Sequence, residues 1–173
     1  MGSGFSEEPG KVVAATAAKK KKKAQKQLGL VGKMVSVLLK GKFARKLFAQ
    51  YWNGGGNYYL TEEEAILIAS EINRLGNGFC VDSSVVTSNQ TNVTLKRKLY
   101  NFYTSKPLVD AIGYGTVYFN GNIMTGFYDD YDFNPKPKGV RPFIHELKTR
   151  LMHFMGKIRG AKAFEIYYGE VPR

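Results

Sequence analysis

The spacing of apolar residues divides the chain into helical and extended segments. Between residues 61 and 76, "TEEEAILIASEINRLG", apolar side chains recur every three or four positions, which predicts an amphipathic helix. Thr61 followed by Glu64 forms a capping box, and Gly76 marks the end of the helix. The predicted buried face consists of Ala65, Ile68, Ala69, Ile72 and Leu75.

Two further stretches have helical spacing. Residues 143–160 predict a helix whose buried face contains Ile144, Leu147, Leu151 and Phe154 or Met155. Residues 28–52 predict a basic amphipathic helix, with apolar residues recurring from Val31 to Tyr51. Cations occupy its other positions, including Lys40, Lys42, Arg45 and Lys46, which we expect to contact a membrane surface or a polyanion. The apolar side of this segment either packs on the core or lies on an anionic membrane surface.

The remaining segments are typical of strands. Residues 79–86 and 91–104 are rich in β-branched and aromatic side chains, although the second could be partly helical. Residues 113–133 predict a hairpin with its turn at "NGN", and residues 161–171 predict a closing strand. The predicted fold class is therefore α+β, an antiparallel sheet with helices packed at one side.

Charge separates the chain into two parts. The 173 residues hold 26 Lys and Arg against 14 Asp and Glu, a net charge of +12. Residues 1–52 contain 12 of the basic side chains and only Glu7 and Glu8 as acids, so the rest of the chain is nearly neutral. Residues 1–27 lack a periodic apolar face, and we expect a flexible lysine-rich linker or tail there. Residues 28–173 are expected to form one domain.

Composition excludes several classes of protein. The single cysteine, Cys80, rules out an internal disulfide framework and a cysteine-built zinc site. The two histidines, His145 and His153, leave little for a histidine-rich metal site. There is no apolar run long enough to span a membrane, and we expect no signal peptide in this chain.

Three carboxylates crowd together at 129–132, where the second hairpin strand ends. Like charges at this spacing repel and raise one another's pKa values. A metal ion, an arginine or a cation of the substrate usually neutralises this repulsion. In extended backbone, Asp130 and Asp132 point to one face while Asp129 and Tyr131 point to the other. The alternative is an acidic loop tip partly neutralised by Lys136, Lys138 and Arg141.

The sequence "DDYDF" at 129–133, followed by Arg141, resembles the D-x-Y-D catalytic motif of the colicin M family of bacteriocins. It is also similar to the final domains of polymorphic toxins, including those of Rhs proteins and type VI secretion effectors. The resemblance covers about residues 113–173, the expected catalytic part. Colicin M-like sequences place a His-Arg pair soon after the last aspartate. Here Val140 precedes Arg141, and His145 is the nearest candidate histidine.

The resemblance implies hydrolysis of the bond between lipid and pyrophosphate in lipid II, with magnesium as the cofactor. Asp129 and Asp132 would hold the ion, or one of them would act as a base. Arg141 would clamp phosphate oxygens, Tyr131 would donate a hydrogen bond or simply pack, and His145 would act as an acid or base. Asp130 and Glu146 would support the site.

A toxin of this kind would be a secreted effector acting in the target-cell periplasm at the inner membrane. Its expected partners are lipid II or another anionic phosphate-bearing substrate, the membrane surface and a cognate immunity protein. Three other functions remain open: a metal-dependent nuclease, although nucleic acid is not the expected partner; a membrane-disrupting toxin acting through residues 28–52; and a binding domain with an acidic loop.

Overall fold

The computed structural model describes residues 35–133 and 141–172 together with Gly32, Lys136 and Gly139. The predicted linker, residues 1–27, lies outside the described residues, as do Val31 and Met34. The elements in chain order are α1 (Lys42–Trp52), β1 (Tyr58–Tyr59), α2 (Glu62–Leu75), a 3-10 turn (Asn77–Phe79), β2 (Cys80–Thr87), β3 (Thr94–Asn101), β4 (Tyr114–Asn120), β5 (Ile123–Tyr131), α3 (Phe143–Arg159) and β6 (Phe164–Gly169).

The strands form one six-stranded sheet in the order β1-β6-β5-β4-β3-β2. All neighbouring strands pair antiparallel except β1 and β6, which run parallel. This arrangement confirms the predicted α+β class. The predicted hairpin corresponds to β4 and β5, whose pairing brings Val117 opposite Phe127.

The helices cover one face of the sheet. Side chains from α1, α2 and α3 join one apolar cluster with residues of β3 to β6 that share a face. The sheet residues in it include Tyr100, Val117, Phe127, Tyr131 and Ile166. Among the residues that the structure describes, there is no helix with the length and apolar character needed to span a membrane.

The predicted start of α2 is confirmed in detail. The Thr61 hydroxyl accepts a hydrogen bond from the Glu64 backbone N–H at 3.3 Å. The Glu64 carboxylate in turn accepts one from the Thr61 backbone N–H at 2.9 Å. Both bonds satisfy donors that the first helical turn cannot pair internally. The helix buries Ala65, Ile68 and Ile72.

The prediction of one helix over residues 28–52 is wrong. Helical backbone ends after Val37 and begins again at Lys42. Gly41 between them has φ of +89°, a conformation that glycine adopts without the steric cost other residues incur. The apolar face of α1 packs on the core, with these residues buried: Phe43, Ala44, Leu47, Phe48, Tyr51 and Trp52. The apolar side of α1 is therefore the core side.

The predicted buried face of α3 is also wrong. Ile144, Leu147, Leu151 and Phe154 are exposed, while Met152 and Gly156 are the buried residues of the helix. Of the predicted residues, Met155 alone packs partly buried against the core. Gly156 lies against Tyr51 of α1, and a Cβ there would lie 2.7 Å from Cε1 of the tyrosine. The helix thus turns its smallest residue inwards, because only glycine allows α1 and α3 to approach so closely.

Candidate functional site

A cleft of about 310 Å³ opens beside the end of β5. Its walls come from the 103–114 segment, the end of β5 with the residues after it, and the first half of α3. All five predicted catalytic residues line it: Asp129, Tyr131, Asp132, Arg141 and His145. The tertiary structure therefore brings together groups that are separated by up to 16 positions in the sequence.

Strand alternation orders the acidic cluster. Phe127 and Tyr131 are buried on the core face of β5, and Asp129 lies between them, partly buried. Asp130 is exposed, and its carboxylate accepts a hydrogen bond from the Tyr128 hydroxyl at 2.8 Å. Because β5 ends at Tyr131, alternation no longer governs Asp132, which lines the cleft together with Asp129.

Asp129 occupies an unfavourable place for a charge. Burial raises the pKa of Asp129 well above its usual range, and the negative charges of Asp130 and Asp132 raise it further. Arg141 offsets only part of this shift in the pKa of Asp129. At neutral pH this carboxyl therefore binds a proton or a cation more readily than the carboxyl of an exposed aspartate does.

The ring of Tyr131 packs against other aromatic side chains, and its role as a hydrogen-bond donor stays a prediction. Its ring stacks on Phe164, with centroids 4.9 Å apart, and meets Phe133 edge-on at 5.2 Å. Its hydroxyl oxygen is buried and has no hydrogen-bond partner among the residues that the structure describes. A buried hydroxyl without a partner is costly, and Tyr131 is one of the residues that line the cleft.

Arg141 is held by the support residue Glu146. Its Nη1 lies 3.7 Å from Oε2 of Glu146, and both side chains are largely buried. Glu146 also accepts a hydrogen bond from Nε of Arg150 at 3.0 Å and one from the backbone N–H of Lys136 at 3.2 Å. Glu146 does not line the cleft itself, so its contact with the site runs through Arg141 and Lys136, which both line it.

Sequence reasoning missed Asp110, a deeply buried carboxylate at the cleft. Its side chain is 2% exposed and accepts hydrogen bonds from Nζ of Lys148 at 2.9 and 3.0 Å. It also accepts one from the backbone N–H of Lys40 at 2.8 Å. The only sequence signal was a lone acid in the apolar context "LVDAI", which identifies no partner.

His145 lies on the same network. Its Nδ1 is 3.6 Å from Oδ1 of Asp110, beyond hydrogen-bond length but within range of electrostatic attraction. Burial lowers the pKa of His145, and the attraction of Asp110 offsets only part of that effect. His145 is therefore mostly neutral at pH 7, as a group that accepts a proton must be.

The four cations predicted to contact a membrane or polyanion do not line the cleft. Lys46 is committed to a 2.6 Å ion pair with Glu64, and Nε of Arg45 donates to the carbonyl of Leu39 at 3.2 Å. Lys40 and Lys42 are exposed. Only the backbone of Lys40 touches the site, through Asp110.

No group of three His, Cys, Asp or Glu side chains within the described ranges is placed to hold a metal ion alone. Asp129 and Asp132 nevertheless share the cleft. Magnesium is commonly bound by one or two carboxylates, with substrate phosphates and water supplying the other ligands. The residues present thus fit a magnesium ion that arrives with a phosphate substrate.

Comparison of the chain with known protein families, with curated proteins and with solved structures finds no significant match.

Proposed function

We propose that this protein is a hydrolase that cleaves a phosphate-ester linkage in the cleft beside β5. The observation that carries the proposal is the convergence of Asp129, Asp132, Arg141 and His145 on one cavity. Acids, a guanidinium and a mostly neutral imidazole are the groups that phosphoryl chemistry requires. The unpartnered Tyr131 hydroxyl adds a donor for a substrate oxygen.

Each side chain has a separate task. Arg141, steadied by Glu146, binds non-bridging phosphate oxygens through paired N–H donors. His145 accepts a proton from the water that attacks phosphorus, and Asp110 beside it stabilises the imidazolium that results. As the bond from phosphorus to the ester oxygen breaks, that oxygen takes up a proton and leaves as the alcohol. Tyr131 donates to the phosphate from the buried side of the cleft.

Asp129 and Asp132 would hold a magnesium ion, which would neutralise charge on the phosphate. The raised pKa of Asp129 fits this role, since a cation removes the cost of ionising a buried carboxyl. Binding of the ion would release a proton from Asp129. Affinity for magnesium should therefore increase as the pH rises.

The resemblance of the 129–133 sequence to the colicin M family selects the substrate. We propose lipid II, cleaved between the lipid and its pyrophosphate, and an antibacterial toxin that acts at the target cell's inner membrane. A cognate immunity protein would be its natural antagonist. Membrane disruption by residues 28–52 is less favoured, because the apolar face of α1 is occupied by the core.

The test is incubation of the purified protein with lipid II and Mg²⁺, alongside Asp132→Ala. The wild type should release the pyrophosphoryl sugar-peptide, and Asp132→Ala should be slower by about a hundredfold or more. Asp82→Ala is the matched control, because Asp82 is an exposed acid on β2 and should leave the rate unchanged. Intact lipid II with the wild type would refute this substrate, and cleavage of nucleic acid instead would favour the nuclease.

A further inference from the structure

The outer side of α3 carries an apolar stripe that the core does not use. Five large side chains lie within about 100° of the helix circumference. They are Phe143, Leu147, Leu151, Phe154 and Ile158, each 40% exposed or more. Ile144, at the edge of the stripe, is 56% exposed. The buried residues Met152 and Gly156 lie on the opposite side of the helix, so the stripe points away from the core.

Exposed cations border this stripe. Arg150 and Lys157 lie within about 40° of one edge of the stripe on the helix circumference. Arg159, in the last turn, lies nearer the side of Met152, and Lys162 follows the helix. The only acid in the helix, Glu146, is engaged with Arg141 and Arg150. An apolar stripe flanked by lysine and arginine is the pattern of helices that lie in the interface of an anionic membrane.

Charge argues against the other occupants that this chain offers. A second copy placed stripe to stripe would bring the same cations together without acids to pair them. Residues 1–31 hold seven lysines and two glutamates, so they would also repel the cations of α3. An anionic bilayer satisfies the apolar side chains and the cations at the same time.

We propose that the stripe of α3 docks the protein on an anionic lipid bilayer. The start of the stripe, Phe143 and Ile144, lies between Arg141 and His145, which both line the cleft.

The α3 residues that line the cleft, His145, Lys148 and Thr149, project from the side of the helix opposite the stripe. An interfacial helix is about 10–12 Å across and buries its apolar face roughly 5–10 Å into the boundary between head groups and acyl chains. Docking would therefore leave the cleft at the level of the head groups, where a lipid-linked phosphate resides. The purpose of docking, access to a lipid-linked substrate, rests on the proposed function. Docking itself can be measured without any substrate.

The experiment uses vesicles of equimolar phosphatidylglycerol and phosphatidylcholine that contain no lipid II. We expect the full chain to co-sediment with them. Replacing Leu147, Leu151 and Phe154 with glutamine should lower the partition coefficient at least about tenfold. Val81, Val85 and Ile123, which are similarly exposed on the sheet, provide the matched control: the same replacement there should leave partitioning unchanged.

Charge and chemistry give two further tests. Lys157→Glu should weaken binding to these vesicles, as should added salt. Asp132→Ala should bind vesicles like the wild type even though its hydrolysis is expected to be about a hundredfold slower or more, which separates docking from the proposed reaction. Unchanged partitioning of the glutamine variant would overturn the proposal. So would a dimer in solution that this variant dissociates, combined with no vesicle binding by the wild type.

Discussion

Asp129 is the residue where burial and charge conflict most. It lies on the core face of β5, between Phe127 and Tyr131, with two further carboxylates within three positions. Such a site lowers the stability of the fold at neutral pH unless a proton or a cation binds. Groups with strongly shifted pKa values concentrate at functional sites, so the raised pKa of Asp129 supports a functional site at the end of β5.

The pH dependence of stability should reveal this conflict. Because folding raises the pKa of Asp129, the folded chain holds a proton that the unfolded chain has already lost. The stabilisation is complete below the unfolded pKa of about 3.9 and is lost as the pH rises through the folded value. Asp129→Asn should therefore be more stable than the wild type at neutral pH and equal to it near pH 3.

Urea denaturation across this pH range measures the effect. Asp82→Asn is the control, because the Asp82 side chain is 63% exposed and should show no such divergence. A constant difference between Asp129→Asn and the wild type at every pH would contradict the raised pKa.

Asp110 should contribute more to stability than any surface acid. Asp110→Ala leaves Nζ of Lys148 and the backbone N–H of Lys40 without their acceptor. Since Lys148 is 22% exposed and can regain water, we expect a loss of roughly 1–3 kcal/mol in the free energy of unfolding. The urea midpoint gives the value, and Asp82→Ala should lose less than about 0.5 kcal/mol.

At the scale of elements, the α1–α3 contact decides which side of α3 is buried. Gly156 provides the space into which Tyr51 fits, and the backbone N–H of Lys162 donates to the Tyr51 carbonyl at 3.3 Å. With this contact made, the larger apolar residues of α3 face outwards. The docking stripe is thus a consequence of where one glycine lies.

Gly156→Ala tests this contact. Alanine favours a helix by about 1 kcal/mol over glycine, so an unconstrained site would be stabilised. Here the new Cβ would overlap the Tyr51 ring, and we expect a net loss of roughly 1–3 kcal/mol. Denaturant titration measures it. Gly78→Ala is a useful comparison, since a Cβ there meets no atom within 4 Å. A stabilised Gly156→Ala would mean that α1 and α3 do not pack this closely.

The whole molecule should unfold in one step. Helices α1, α2 and α3 share one apolar cluster with the sheet, so no described element has a core of its own. The only tryptophan, Trp52, is buried in that cluster and reports on it. We expect its fluorescence and the far-ultraviolet circular dichroism to change at the same denaturant concentration. Two separate midpoints would show that α1 detaches before the sheet unfolds.

Local patterns determined most of the secondary structure. The capping box at Thr61, the turn at "NGN" and the β-branched runs act over a few residues, so they can be recognised without knowledge of the fold. The same holds for the acidic cluster and for Arg141. Periodicity also located α3 correctly, because a helix with an apolar stripe has the same spacing whichever side it buries.

What sequence could not decide was which surfaces meet. Both α1 and α3 have an apolar stripe, and the structure buries that of α1 while leaving that of α3 exposed. The sequence likewise gave no reason to join Asp110 to His145 and Lys148, 35 and 38 positions away. Which face of a helix is buried, and which distant residues meet, depends on the shapes of the packed elements and on contacts between distant segments. Both are set only when the chain packs. The sequence by itself determined most of the elements and the position of the acidic cluster, and tertiary packing decided the cleft and the face turned outwards.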